Sequence, residues 1–114
     1  MSDECLFCKI VRGEIPSEKV FEDEKVLVFK DIHPRAPIHL LIVPKEHIGS
    51  LANLSPSDAK ILPHLFLTAQ KLADQFQVKQ KGFRTVFNAG RDSGMEIDHL
   101  HLHLLAGGKL GGMG

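Results

Sequence analysis

HLHLHLL, residues 99–105, sets three of the chain's seven histidines at every second position, with leucines between them. A period of two belongs to a β-strand, whose successive side chains point to opposite faces of a sheet. Leu100, Leu102 and Leu104 then bury against a helix, and His99, His101 and His103 share the opposite face. Because the leucines do the burying, the pattern weakens a reading of the histidines as core residues.

Three readings of that face stay open: a metal site, a catalytic row, and a row without a role. In an extended strand His99 and His103 are about 13 Å apart at Cα. Zinc takes its nitrogens at about 2.0–2.1 Å, so one ion bound by all three is disfavoured, although histidines two apart can share one. A catalytic row needs less distortion. Neutral imidazole can attack phosphorus if a partner on its other ring nitrogen orients it. Flanking histidines then hold phosphoryl oxygens and carry protons, which makes the middle residue, His101, the nucleophile. The preceding loop, AGRDSG at 89–94, offers backbone N–H groups to a phosphate where a Cβ would obstruct.

Upstream, the segment 6–12 reads as a short helix ended by Gly13. Strands follow at 19–22 and 25–31, with Leu27, Phe29 and Asp31 on one face and Val26, Val28 and Lys30 on the other. The loop HPRAP, with Pro34 and Pro37, leads into a third strand over 38–47. There His39, Leu41 and Val43 share a face. Ser55 is placed as an N-cap, Pro56 at the first helical position, and Ile61, Leu65, Ala69, Leu72 and Phe76 form an apolar stripe to about residue 77. Pro63 falls inside this helix and predicts a kink or an irregular first turn. FRTVFN, 83–88, is the fourth strand. Five antiparallel strands, one long helix and one short N-terminal helix make an α+β fold. The whole chain, 1–114, reads as a single domain with a glycine-rich tail over 106–114.

Lys and Arg balance Asp and Glu at 14 each, which argues against a nucleic-acid or membrane-surface binder. No run approaches the ~20 apolar residues of a membrane span. MSDECLFCKI lacks the basic-then-apolar order of a signal peptide, so a cytoplasmic location is expected. Cys5 and Cys8, the only cysteines, form a C-x-x-C pair. With no strand before them they read as half of a zinc site more readily than as a redox dithiol, and two small buried thiols remain an alternative.

HLHLHLL also matches the His-φ-His-φ-His-φ-φ signature, where φ is apolar. LFCKIVRGEIPSEKVFEDEKVLVFKDIHPRAPIHLLIVPKEHI and KGFRTVFNAG extend the likeness over nearly the whole chain. The sequence resembles the Hint branch of the histidine triad family. That resemblance implies cleavage of purine nucleoside 5′-phosphoramidates, AMP- or GMP-amine conjugates, through a covalent nucleotidyl-histidine. By the same resemblance His101 is the nucleophile, His103 contacts the α-phosphate, and His39 stands beside them. Asp31 binds the ribose hydroxyls, with Ile32 adjacent. Phe7, Ile15, Phe29 and Leu41 line the base pocket. Asn88 and Gly94, Met95, Glu96 and Ile97 form the phosphate side. His33 and His64 match no family role and read as surface.

Bacterial members carry a structural zinc, and the matching ligands here are Cys5, Cys8, His47 and His99. A homodimer is also implied. The sequence departs from the family pattern at Met95, usually glutamine, at Asp98, usually aromatic, at Glu96, which is serine in some members, and at Ser93, usually glycine. Those changes bear on how the leaving group is handled, because expelling an amine takes a proton donor near the P–N bond. Two alternatives remain beside the phosphoramidate reading: a dinucleoside polyphosphate hydrolase, and a nucleotide- and zinc-binding adaptor with little turnover.

Overall fold

The computed structural model describes residues 5–95 and 97–113. Helix α1 spans Leu6–Val11, strand β1 Lys19–Glu22, β2 Val26–Lys30 and β3 Ile38–Pro44. Helix α2 spans Leu62–Gln75, followed by β4 Phe83–Val86 and β5 Leu102–Ala106. The strands form one antiparallel sheet in the order β1-β2-β3-β5-β4. The expected α+β architecture is the observed one.

Both faces of the central strands are covered, and the alternation of side chains explains how. Val26, Val28, Leu40, Ile42, Leu100, Leu102 and Leu104 pack with Leu65, Ala69 and Leu72 of α2. Leu27, Phe29, Leu41 and Val43 face the other way and pack with Phe7 and Ile10 of α1. Leu27, Leu40, Ile42, Leu102 and Leu104 are almost fully shielded from water, so truncating any of them to Ala costs about 2–5 kcal/mol.

Three local boundaries are revised: where the last ladder, the long helix and the tail begin. The ladder of the last strand begins at Leu102, not at residue 99, because its partner β3 ends at Pro44, which has no N–H to offer. The backbone N–H groups of His99 and Leu100 instead bond the carbonyls of Ile97 and Ile48, at 2.9 and 2.6 Å. Of the two outcomes expected at Pro63, the irregular first turn is the one observed. A 3-10 turn, Asp58–Ile61, comes first, α2 starts at Leu62, and Pro63 lies in its first turn, where an N–H would be unpaired anyway. Ser55 still caps this approach: its Oγ accepts from the Asp58 N–H at 3.0 Å. Ala106, read as the start of the tail, closes β5 opposite Ile38 and Phe83, so the tail begins at Gly107.

The C-terminus of α2 carries a strained feature. Gln77 has φ +60°, and the N–H groups of Gln77 and Val78 bond back to the carbonyls of Asp74 and Ala73 at 3.1 and 2.9 Å. This is the helix stop that glycine usually makes, built here with a side chain.

Candidate active site and metal centre

The sheet face under α1 brings together most of the residues singled out from the sequence. A cleft of about 290 Å3 is lined by Phe7, Ile15, Phe29, Asp31, Ile32, Leu41, Asn88, Gly94, Met95, Ile97, His101 and His103 among others. Twelve residues proposed from the sequence thus meet in one concavity, although they come from α1, β2, β3, β5 and three loops. Glu96 lies outside the described residues. Gly94, at φ +92°, lets the chain turn at the rim of the cleft in a conformation that side chains resist.

His101 is 8 % exposed, and its Nδ1–H donates to the carbonyl oxygen of His99 at 2.7 Å. That bond fixes the tautomer and leaves the lone pair on Nε2, which has no partner among the described residues. Burial holds His101 below the ordinary imidazole range, against the raising effects of the His99 carbonyl and Asp31. The ring is therefore neutral near pH 7. The edge of Phe7 packs against it, with centroids 5.0 Å apart.

A second chain of bonds orders His103. The backbone N–H of Arg35 donates to His39 Nδ1 at 3.0 Å, so the proton of neutral His39 must sit on Nε2. Nε2–H donates in turn to His103 Nδ1 at 2.9 Å, which leaves the His103 proton on Nε2. Asp31 Oδ2 lies 3.4 Å from the same His39 Nε2. Burial lowers both imidazoles. His103 is pushed down to about 4, with His101 and His39 adding to the effect of burial. His39 is lowered by burial and by the Arg35 charge, against the pull of Asp31.

On the far side of His101 the ligand atoms of Cys5, Cys8, His47 and His99 all lie within 4.8 Å of one another and could hold a metal ion. Cys5 Sγ is 3.3 Å from His99 Nδ1, and Cys8 Sγ is 3.2 Å from His47 Nδ1 and 3.5 Å from His99 Nδ1. His99 Nε2–H donates to the Pro44 carbonyl at 2.8 Å, which aims Nδ1 into the cluster. Burial pushes His99 down to about 4, favouring the neutral form that ligates. No disulfide joins the two cysteines, so both sulfurs are available as ligands.

The sequence reading missed several cleft residues. Ser17, Lys30, His33 and Arg35 line it as well, because the turns before β1 and after β2 fold over its mouth. Loops have no periodicity to reveal this; the available signal was proximity in sequence to Ile15 and Asp31. His64 also differs from a plain surface residue. It is 35 % exposed, and its Nε2 lies 2.8 Å from Asp23 Oδ2, tying α2 to the β1–β2 turn.

The sheet thus presents two oriented imidazoles, neutral near pH 7, at the end of an apolar cleft. The chain belongs to the histidine triad family and is a hydrolase of that family. The family profile described as "Scavenger mRNA decapping enzyme C-term binding" matches residues 4–112. The chain is 40% identical over 113 residues to the purine nucleoside phosphoramidase of Escherichia coli strain K12, covering 99% of this chain and 95% of that one. It is 42% identical over 103 residues to Protein HitA of Neisseria gonorrhoeae, covering 90% and 95%. Among solved structures, a histidine triad protein from Clostridium difficile superposes with TM-score 0.94 at 46% identity, covering 98% of this chain and 97% of that one. A HIT family hydrolase from Legionella pneumophila gives TM-score 0.90 at 46% identity, covering 93% and 95%. Among the described residues no helix is long and apolar enough to cross a membrane.

Proposed function

We propose that this chain hydrolyses purine nucleoside 5′-phosphoramidates, releasing AMP or GMP and a free amine. The observation that carries the reading is the His101 Nδ1–H bond to the His99 carbonyl, because it leaves Nε2 as an oriented nucleophile at the cleft. The Nε2 lone pair forms a bond to the α-phosphorus while the P–N bond breaks, its electron pair going to the amine nitrogen, which takes up a proton from solvent. Water then attacks the nucleotidyl-histidine and returns one proton to solvent as its oxygen bonds to phosphorus, the N–P bond breaks with its pair going to Nε2, and neutral imidazole returns. His103 Nε2–H is the donor for a phosphoryl oxygen, held in place by His39 through the bond at 2.9 Å.

The rest of the cleft supports a nucleoside. Phe7, Ile15, Phe29, Ile32 and Leu41 offer apolar surface for a base. Asp31 is the carboxylate for two ribose hydroxyls. Asn88, Gly94, Met95 and Ile97 border the phosphate side, with Glu96 next in sequence. Relatedness to a purine nucleoside phosphoramidase gives the substrate class its direct support.

We further propose zinc at Cys5, Cys8, His47 and His99. Two thiolates and two imidazoles are the donor set of a closed structural site. With Zn–S about 2.3 Å and Zn–N about 2.0–2.1 Å, a tetrahedral ion separates sulfur from nitrogen by about 3.5 Å. The separations of 3.2–3.5 Å seen here agree. The ion would brace α1 against the start of the triad. A pair of reduced thiols suits the cytoplasm. Phe66, Leu67 and Phe83 are large apolar side chains left 47%, 63% and 38% exposed, which supports a homodimer.

The test is product analysis. With adenosine 5′-phosphoramidates and diadenosine polyphosphates offered in parallel, AMP and free amine should form from the first faster than AMP from the second. Faster cleavage of the polyphosphates would overturn the phosphoramidate reading.

A further inference from the structure

One hydrogen-bonding group of the cleft is unmet. Among the described residues, Ser17 Oγ is the one buried side-chain polar atom left without a hydrogen-bond partner. A shielded hydroxyl without a partner is destabilising, and folded proteins keep few of them. Ser17 lines the cleft together with Ile15, Phe29 and Asp31, so a bound molecule can supply the partner that the protein does not.

The strand register places this hydroxyl. Lys19 pairs with Phe29 in the antiparallel ladder of β1 and β2, and the Lys30 N–H donates to the Glu18 carbonyl at 3.1 Å. The same register, carried one residue further, sets Ser17 opposite Asp31, and residues directly opposite share a face of the sheet. That face is the cleft side, where Phe29 and Leu41 pack with Phe7. Asp31 Oδ1 accepts from the His33 N–H at 2.8 Å, and Oδ2 lies 3.4 Å from His39 Nε2. The carboxylate does not take up the Ser17 hydroxyl. Ser17 stands before β1, outside the regular ladder, and a turn about Cα–Cβ redirects its hydroxyl without breaking a backbone bond.

A hydroxyl donor beside a carboxylate acceptor suits a ligand group that can accept from the first and donate to the second. A nitrogen on a base edge does one or the other; a sugar hydroxyl does both. We propose that Ser17 is a specificity-determining residue that shares one ribose hydroxyl with Asp31. Ser17 Oγ–H donates to the ribose oxygen, and the O–H of that ribose group donates to the Asp31 carboxylate. Every donor in the chain then has an acceptor. A deoxyribose lacking that hydroxyl leaves Ser17 unmet, so Ser17 adds to the preference for ribonucleotides. This rests on the reading of the cleft as a nucleotide site and deepens it with a sugar contact.

The experiment measures Kd by calorimetry for AMP, 2′-deoxy-AMP and 3′-deoxy-AMP, in the wild-type protein and in Ser17→Ala. The substitution should weaken AMP by about three- to tenfold and leave unchanged the Kd of the deoxy analogue that lacks the shared hydroxyl. That analogue identifies which hydroxyl is shared. Equal weakening of all three nucleotides, or of none, would overturn the inference. The Tm of ligand-free Ser17→Ala should be no lower than that of the wild type, because the hydroxyl it removes has no partner in the fold. A lower Tm would overturn the inference too, by giving Ser17 a structural partner. No binding of AMP by the wild type would remove the nucleotide reading and the sugar contact with it. The expected pattern of Kd values without cleavage of an AMP-amine conjugate would instead remove the phosphoramidase reading and leave the sugar contact standing.

Discussion

His39 and His103 form one hydrogen-bonded unit: Nε2 of the first lies 2.9 Å from Nδ1 of the second, and the first is itself held by the Arg35 N–H at 3.0 Å. The direction of the chain follows from its first link, because a backbone N–H can only donate. In the proposed reaction His39 acts through His103, as a positioning residue. Replacing His39 by Ala should lower kcat by on the order of tenfold to a hundredfold while KM for the nucleotide stays nearly constant. A rise in KM at constant kcat would show that His39 serves binding instead.

Acidification should destabilise the fold. His39 and His103 titrate below the ordinary imidazole value, His103 at about 4, chiefly because burial penalises the charged ring. Unfolded imidazoles protonate near about 6.5. Between about 6.5 and about 4 the unfolded chain therefore binds more protons than the folded one, and stability falls as pH falls. Urea midpoints measured across that window should decline steadily, and the decline should be shallower in His103→Asn. A midpoint equal at both ends of the window contradicts the burial of neutral rings.

The fold and the site were legible in the sequence to different depths. Leu100, Leu102 and Leu104 announced which face packs on α2, since alternation survives even where the ladder does not; that the histidine face is buried as well was not legible. The reach of the ladder was not legible, because it depends on Pro44 in another strand. Pro63 signalled an irregular first turn, but not that a 3-10 turn would move the start of α2 to Leu62. Asp31, Phe29 and Leu41 were placed in the cleft by resemblance, and periodicity only agreed. Arg35 had only its nearness to Asp31 to mark it, because it sits in a loop and lines the cleft only once the turn after β2 folds back.

Gln77 offers a gain in stability remote from the cleft. Its φ of +60° strains any side chain, and the two bonds that end α2 use only its backbone and its neighbour's. Gln77→Gly should stabilise the protein by about 0.5–1 kcal/mol, after allowing for the extra freedom of glycine in the unfolded chain. Thermal unfolding reads this directly, and a lower Tm would show that the Gln77 side chain makes a contact worth more than the strain.

Metal removal should separate brace from chemistry. Purified protein is expected to carry about one equivalent of zinc, lost in Cys8→Ala, with a lower Tm after chelation. Because His101 and His103 are not among the ligands, chelated protein that remains folded should keep most of its turnover. Complete loss of activity with the fold intact would assign the ion to the reaction.

The most direct measurement is acid quench of the working enzyme during turnover of an adenosine 5′-phosphoramidate, followed by mapping of the nucleotidyl group. An adenylyl adduct should appear on the peptide that holds His101 and be absent from His101→Ala, which should still bind AMP but turn over at least about a thousandfold more slowly. Turnover in His101→Ala equal to that of the wild type, or an adduct on another residue, would contradict the account.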